Sequence, residues 1–198
     1  MVKSYYICIG EMTMIILASK SPRRKELLSI ITAEFEVIPA VGEERADRSL
    51  PPSEYVRELA YHKAAEIAAL HPEDTVIGAD TVVSVDGEIL GKPKDCEDAG
   101  RMLSLLSGKE HSVFTGACII CKDRNAAFSE ETKVRFFELS AKEIEDYIAT
   151  GEPFDKAGAY GIQGIGALLV SGITGDYYNV MGLPVGRLSR ELKAIPHK

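Results

Sequence analysis

Short unbroken apolar runs alternate along this chain with stretches in which apolar residues return every third or fourth position. The first run, Met14 to Ala18, predicts a buried strand, and Ser19 to Ser21 a turn after it. Ser21 followed by Pro22 has the form of an N-cap with proline at the first helical position, so a helix is expected through Leu27 and Leu28 towards Ile31. A strand near Phe35 to Pro39 and a polar loop from Gly42 to Pro52 come next. From Ser53 to Leu70, Val56, Leu59, Ala60, Ala64, Ile67 and Ala68 recur at helical spacing. Thr75 to Val85 is a long apolar strand interrupted by Gly78-Ala79-Asp80, and Asp86-Gly87 turns it back through Glu88 to Leu90.

A helix from Asp95 to Ser107 should stop at Gly108. Two further strands are expected, joined by a turn at Asp123-Arg124-Asn125. Ser140 and Glu143 have capping-box spacing and open a helix that ends at Gly151. After Pro153 comes a glycine-dense segment, then a strand around Ala167 to Val170 and a last helix from Leu183-Pro184. Strands and helices alternate, yet two strand pairs are joined as hairpins. The chain is therefore read as α/β, with a mixed twisted sheet and flanking helices.

Composition narrows the class. With 198 residues, 45% hydrophobic and 27% charged, the chain has the balance of a globular protein and can bury a core without metal or disulfide staples. The formal net charge is −7, so wrapping nucleic acid or adhering to anionic lipid is disfavoured and no stable nucleic-acid complex is expected. Any anionic ligand has to be met by a local basic cluster. No apolar stretch approaches a membrane span, and Glu11 breaks the first apolar run too early for a secretory leader. Residues 1–13 are read as an upstream extension or expression remnant, residues 14–198 as one domain, and the location as cytoplasmic. Of the four cysteines, Cys118 and Cys121 have the spacing of a metal or redox pair. They fall in an apolar strand where positions three apart face opposite ways, so inert buried thiols are expected.

Four segments could carry chemistry. Lys20, Arg23, Arg24 and Lys25 put four basic side chains into six residues at a strand-to-helix turn, where helix amides and planar guanidinium groups suit a phosphate. Cations at a helix N-terminus oppose the helix dipole, which argues against a merely solvated face. Asp80, within an apolar strand, needs a partner or a metal; it has the chemistry of a general base or of a ligand for a hard cation. Lys92 sits on the stiff Gly91-Lys92-Pro93 turn. The segment from Asp155 to Gly164 sets Lys156 and Gln163 among three glycines, and glutamine's donor and acceptor pair matches the imide edge of uracil or thymine. Lys63 and the Glu43-Glu44 pair gain significance in that company. The scattered histidines and the absence of a Gly-Lys-Ser/Thr loop or a Gly-x-Gly-x-x-Gly pattern exclude hydrolase-triad, kinase and dinucleotide readings.

In order, LASKSPRRKELL (17–28), GADTVV (78–83), GKP (91–93), LSGKEHSV with TG (106–116), DKAGAYGIQG (155–164) and GLPV (182–185) resemble the Maf family, over about 170 residues. That resemblance implies a two-lobed α/β fold with a central cleft, related to inosine-triphosphate pyrophosphatases, in a cytoplasmic and often dimeric protein. It implies a nucleoside triphosphate pyrophosphatase that releases the monophosphate and pyrophosphate with Mg2+ or Mn2+. Position by position, Asp80 becomes the proton acceptor, and Arg23, Thr81 and Gln163 the positions tied to substrate choice. Ser19, Arg24, Lys63, Lys92 and Lys156 become polar positions lining the cleft, with Lys92 grouped with Asp80 in catalysis. Glu43, Glu44 and Asp80 are the candidate metal ligands. The DKAGAYGIQG form resembles the dTTP- and UTP-cleaving branch. A non-catalytic regulator of septum formation, a pyrophosphatase for modified nucleotides, and the 7-methyl-GTP branch remain the alternatives.

Overall fold

The alternating rhythm resolves into strands and helices in a computed structural model that describes residues 14–42, 46–47, 49–122 and 124–195. The expectations placed on residues 1–13, and on Glu43 and Glu44, lie outside the described residues. In chain order the elements are β1 (Ile15–Leu17), α1 (Pro22–Leu28), β2 (Glu36–Val37), α2 (Pro52–Ala68), β3 (Thr75–Val85), β4 (Glu88–Leu90), α3 (Cys96–Leu106), β5 (Glu110–Cys121), β6 (Arg124–Phe136), α4 (Ala141–Ala149), β7 (Val170–Thr174), α5 (Tyr177–Met181) and α6 (Val185–Ala194). Three short 3-10 turns, Glu152–Asp155, Ala157–Ala159 and Gly164–Leu169, fill the glycine-dense segment between α4 and β7.

Among the described residues the strands form a seven-stranded sheet ordered β2-β1-β3-β5-β6-β7, with β4 paired to β3. β1 lies parallel to β2 and β3, whereas β4 runs antiparallel to β3 and β7 antiparallel to β6. The sheet is mixed, as the combination of crossovers and hairpins requires. No helix of the described residues is long and apolar enough to cross a membrane.

The chain divides into two compact units. One comprises the chain to Asp80, Thr115–Ser129 and the chain from Gly182; the other comprises Thr81–Phe114 and Glu130–Met181. Each has its own core. In the first, Ile16, Val76 and Cys118 from the strands, with Ala18 just past β1, meet Ala60, Ala64 and Ile67 of α2. In the second, Val83, Leu90, Val113, Val134 and Phe136 meet Leu103 and Leu106 of α3, Ile144 and Tyr147 of α4, and Tyr160.

Small residues set the depth of the first core. A Cβ on Gly78 would stand 2.2 Å from the Ala60 carbonyl oxygen, and one on Gly116 would stand 2.2 Å from the Val56 carbonyl oxygen. Helix α2 therefore rests backbone-to-backbone on β3 and β5, and only glycine at both positions permits that approach.

Most local expectations hold, and their caps explain why. Ser21 accepts from the Arg24 amide, Asp95 caps α3 by accepting from the Asp98 amide, and Ser140 and Glu143 complete the capping box of α4. Two expectations need correction. The strand expected around Ala167 to Val170 begins at Val170, because Gly164–Leu169 is a 3-10 turn whose Ile165 and Gly166 amides bond to the Glu152 carboxylate instead of a neighbouring strand. Of the turn expected at Asp123-Arg124-Asn125, Arg124 and Asn125 already belong to β6, and Asp123 lies outside the described residues. Helix α5 was not foreseen, although Asp176 signals it by accepting from the Tyr178 amide in the manner of an N-cap. Of the cysteine pair, Cys118 is buried, its thiol pushed up to about 12 by that burial, while Cys121 is half-buried. Cys96 lies exposed at the start of α3.

Candidate active site

In the first unit, the parallel register Ile15↔Thr75, Ile16↔Val76, Leu17↔Ile77 lays β1 along the first residues of β3, and the Ala18 amide extends it by bonding to the Ile77 carbonyl. Continuing along both chains, Ser19 on one side and Asp80 on the other stand just past those last paired residues, at the carboxyl end of β1. That is where open α/β sheets place ligand groups.

The turn after β1 is tightly tied. Buried Ser19 accepts through Oγ from the Ser21 amide (3.2 Å) and from Arg24 Nη1 (3.4 Å). Arg24 Nε donates to the Gly182 carbonyl at 2.8 Å, which ties the GLPV motif to the basic cluster and fixes the plane of the guanidinium group. Arg23 and Arg24 are half-buried, whereas Lys20 and Lys25 are exposed. The solvated-face reading thus suits the two lysines, whereas Arg24 is tied into the fold and Arg23 is half-buried.

Asp80 projects from β3 with its side chain only 13% exposed, and Lys63 Nζ on α2 reaches its Oδ1 at 2.5 Å from a side chain 16% exposed. The geometry follows from the glycine seat. Gly78 and Asp80 share one face of β3 by the two-residue strand period, and Ala60 and Lys63 are one helical turn apart. Where α2 touches Gly78 through Ala60, its next turn carries Lys63 over Asp80. The ammonium supplies the counter-charge that a carboxylate at such depth requires. Lys63 alone resembled any surface lysine; the contact with Asp80 was not visible in sequence because its partner lies 17 positions away on another element.

In the second unit, half-buried Thr81 follows Asp80 directly and points to the other face of β3. Lys92 is exposed on the turn after β4. The neighbouring Gly91 carbonyl accepts from the Gly158 amide at 3.0 Å, so the Lys92 turn and the glycine-dense segment are joined by their backbones. Lys156 is largely buried, and its Nζ donates to the Glu152 carbonyl and to Asp155 Oδ1, both at 2.6 Å. Gln163 is exposed, on extended backbone just before the turn Gly164–Leu169. Beneath this segment His111 Nε2 meets the Tyr160 hydroxyl at 2.8 Å, and both rings pack edge-on against Phe136. Burial lowers the His111 pKa to about 4.

Among the described residues no group of three or more His, Cys, Asp or Glu side chains is gathered as a metal cage. Sequence reasoning missed Gly116, Glu152 and Tyr147, each of which shapes the surroundings of a candidate residue. Gly116 stood within a matching motif but carried no chemistry of its own, and Glu152 looked like an ordinary surface acid.

The family model for Maf-like proteins matches residues 14–195, and the chain belongs to that family. Over 182 residues, covering 92% of this chain and 95% of each relative, it is 53% identical to a dTTP/UTP pyrophosphatase of Bacillus cytotoxicus. Over the same spans it is 50% identical to one of Bacillus cereus and 51% identical to one of Bacillus anthracis, both also named dTTP/UTP pyrophosphatases.

Proposed function

We propose that this chain hydrolyses dTTP and UTP to the monophosphate and pyrophosphate with the help of a divalent cation, Mg2+ or Mn2+. The observation that carries the reading is the paired, largely buried Asp80 on β3 beside the carboxyl end of the parallel strand β1, in a unit that also holds half-buried Arg23 and Arg24. The names of the relatives supply the substrate class.

The chemistry follows from charge. Water attacks the α-phosphorus, the bond from that phosphorus to the bridging oxygen breaks, and pyrophosphate leaves. Asp80 takes the proton of the attacking water, and Lys63 holds the carboxylate towards it. Arg23 and Arg24 bind phosphate oxygens with their planar forks, and Ser19 fixes Arg24. Lys92 and Lys156 are assigned to the charge of the leaving pyrophosphate, Thr81 and Gln163 to the choice of nucleotide, with Gln163 reading the imide edge of the pyrimidine. A hard cation suits this donor set, since Mg2+ commonly takes one or two carboxylates and completes its shell with substrate phosphates and water. Asp80 would hold it, with Glu43 and Glu44 as the further proposed ligands. When bound, the cation lowers the pKa of its water and offsets phosphate charge. The family resemblance adds a cytoplasmic location and a homodimer to this reading.

Pyrophosphate release from dTTP, UTP, CTP, purine triphosphates and 7-methyl-GTP, with and without Mg2+ or Mn2+, tests the proposal. The expected result is rapid release from dTTP and UTP with much slower release from CTP and the other nucleotides, dependent on cation, and reduced at least ~100-fold in Asp80→Asn with nucleotide binding retained. Normal turnover in Asp80→Asn would remove its role as proton acceptor. Preference for 7-methyl-GTP would keep the reaction and discard the reading of Gln163, and binding without release from any nucleotide would make the protein a regulator.

A further inference from the structure

The turn after Gln163 is anchored in the core only at its far end, by Leu169; nearer Gln163, Ile165 and Leu168 are exposed, at 47% and 76%. What fixes this near half is polar and converges on one side chain. Glu152 Oε1 accepts from the Ile165 amide at 3.0 Å, and Oε2 from the Gly166 amide at 3.3 Å. The Tyr147 hydroxyl lies beside the Glu152 carboxylate and accepts from the Gly161 amide at 3.2 Å. The residues immediately around Gln163 are thus held on both sides, at Gly161 through Tyr147 and at Ile165 and Gly166 directly. Gly164 has a φ of +67°, and a Cβ there would come within 2.6 Å of Glu152 Oε1, so a glycine is needed for the carboxylate to reach the turn. The Glu152 carbonyl, in turn, accepts from Lys156 Nζ.

We propose that Glu152 is a specificity-positioning residue, whose carboxylate sets the backbone from which Gln163 meets the base. The proposal rests on the reading of Gln163 as the base-reading residue. A carboxylate suits the task because both of its oxygens accept, so one side chain can hold two consecutive amides. Backbone hydrogen bonds from Ile165 keep the Glu152 carboxyl below the usual glutamate range, as expected of a charged acceptor.

Glu152→Gln changes the clamp with little change of shape, because its amide nitrogen cannot accept. The test compares kcat/KM for UTP and CTP in the wild type, Glu152→Gln, Gln163→Ala and the double variant. The expected result is a roughly tenfold fall in the UTP-to-CTP preference in Glu152→Gln, about the size of one lost hydrogen bond to a charged group, with CTP hydrolysis unchanged. The double variant should be no less selective than Gln163→Ala alone. If Glu152→Gln does not fold, Tyr147→Phe removes one arm of the clamp and should lower the same ratio to a smaller degree. An equal loss on both nucleotides, or losses that add fully in the double variant, would overturn the proposal. If Gln163→Ala itself leaves the preference intact, the reading of Gln163 fails; if it erodes the preference while neither Glu152→Gln nor Tyr147→Phe does, the positioning role alone fails.

Discussion

Lys63 and Asp80 show how a single contact changes what a residue means. Asp80 was legible as chemistry because an acid in an apolar strand demands a partner, whereas Lys63 was one of many lysines until α2 carried it there. The pair also supports a prediction about stability that is separate from turnover. Lys63→Met leaves a mostly buried carboxylate without its counter-charge, so the variant should lose about 1–3 kcal/mol, a value discounted for residual solvent access. Adding Asp80→Asn to it should restore most of that loss, because the amide needs no counter-ion. Thermal unfolding of the two single variants and the double variant checks this. Simple addition of the two losses would show that the pair contributes nothing to stability. Gln163, Lys92 and Lys156 were legible as residue types, but what holds Gln163 was not, because Glu152 lies 11 positions earlier in a stretch that reads as surface.

Elements were most legible where a cap or turn residue marks an end. β3 has the expected boundaries, and α1, α3 and α4 start where Ser21, Asp95 and Ser140 place them. The signal failed at Gly164–Leu169, where a carboxylate from outside the segment takes the amides that a strand would use. The packing of one element on another was the least legible, since Gly78 and Gly116 matter through atoms of α2. The same chemical change should therefore have opposite effects at two glycines. Gly116→Ala puts a methyl group 2.2 Å from the Val56 carbonyl oxygen and forces α2 off the sheet, at a cost of about 1–3 kcal/mol, with turnover falling as Lys63 is displaced. Gly100→Ala, within α3, meets nothing nearer than Ile148 Cδ1 at 3.7 Å and should stabilise by about 0.5–1 kcal/mol. Chemical denaturation of both variants tests this; destabilisation of similar size in both would mean that the seat of α2 yields freely.

For the molecule as a whole, the alternation of the sequence announced an α/β protein with a mixed sheet, whereas its division into two units had no linker or shift in composition to mark it. The core of the second unit carries a pH dependence of its own. His111 is 3% exposed, and no partner for its Nδ1 lies among the described residues, while its pKa is lowered from 6.5 to about 4. The unfolded chain therefore binds a proton that the folded one refuses between those values. Stability is complete above about 6.5 and is lost as pH falls towards about 4, by about 3 kcal/mol for this group alone. Melting temperatures across that range should fall for the wild type and fall less for His111→Gln; parallel curves would assign the acid sensitivity elsewhere. The boundaries at 80/81, 114/115 and 129/130 fall inside β3, β5 and β6, and the fourth falls at 181/182. Exchanging the unit that bears Gln163 between two related genes would thus take four breakpoints, three of them within strands. On the proposed reading of Gln163, nucleotide preference is altered more readily by point substitution along the 152–166 stretch than by exchange of a whole unit.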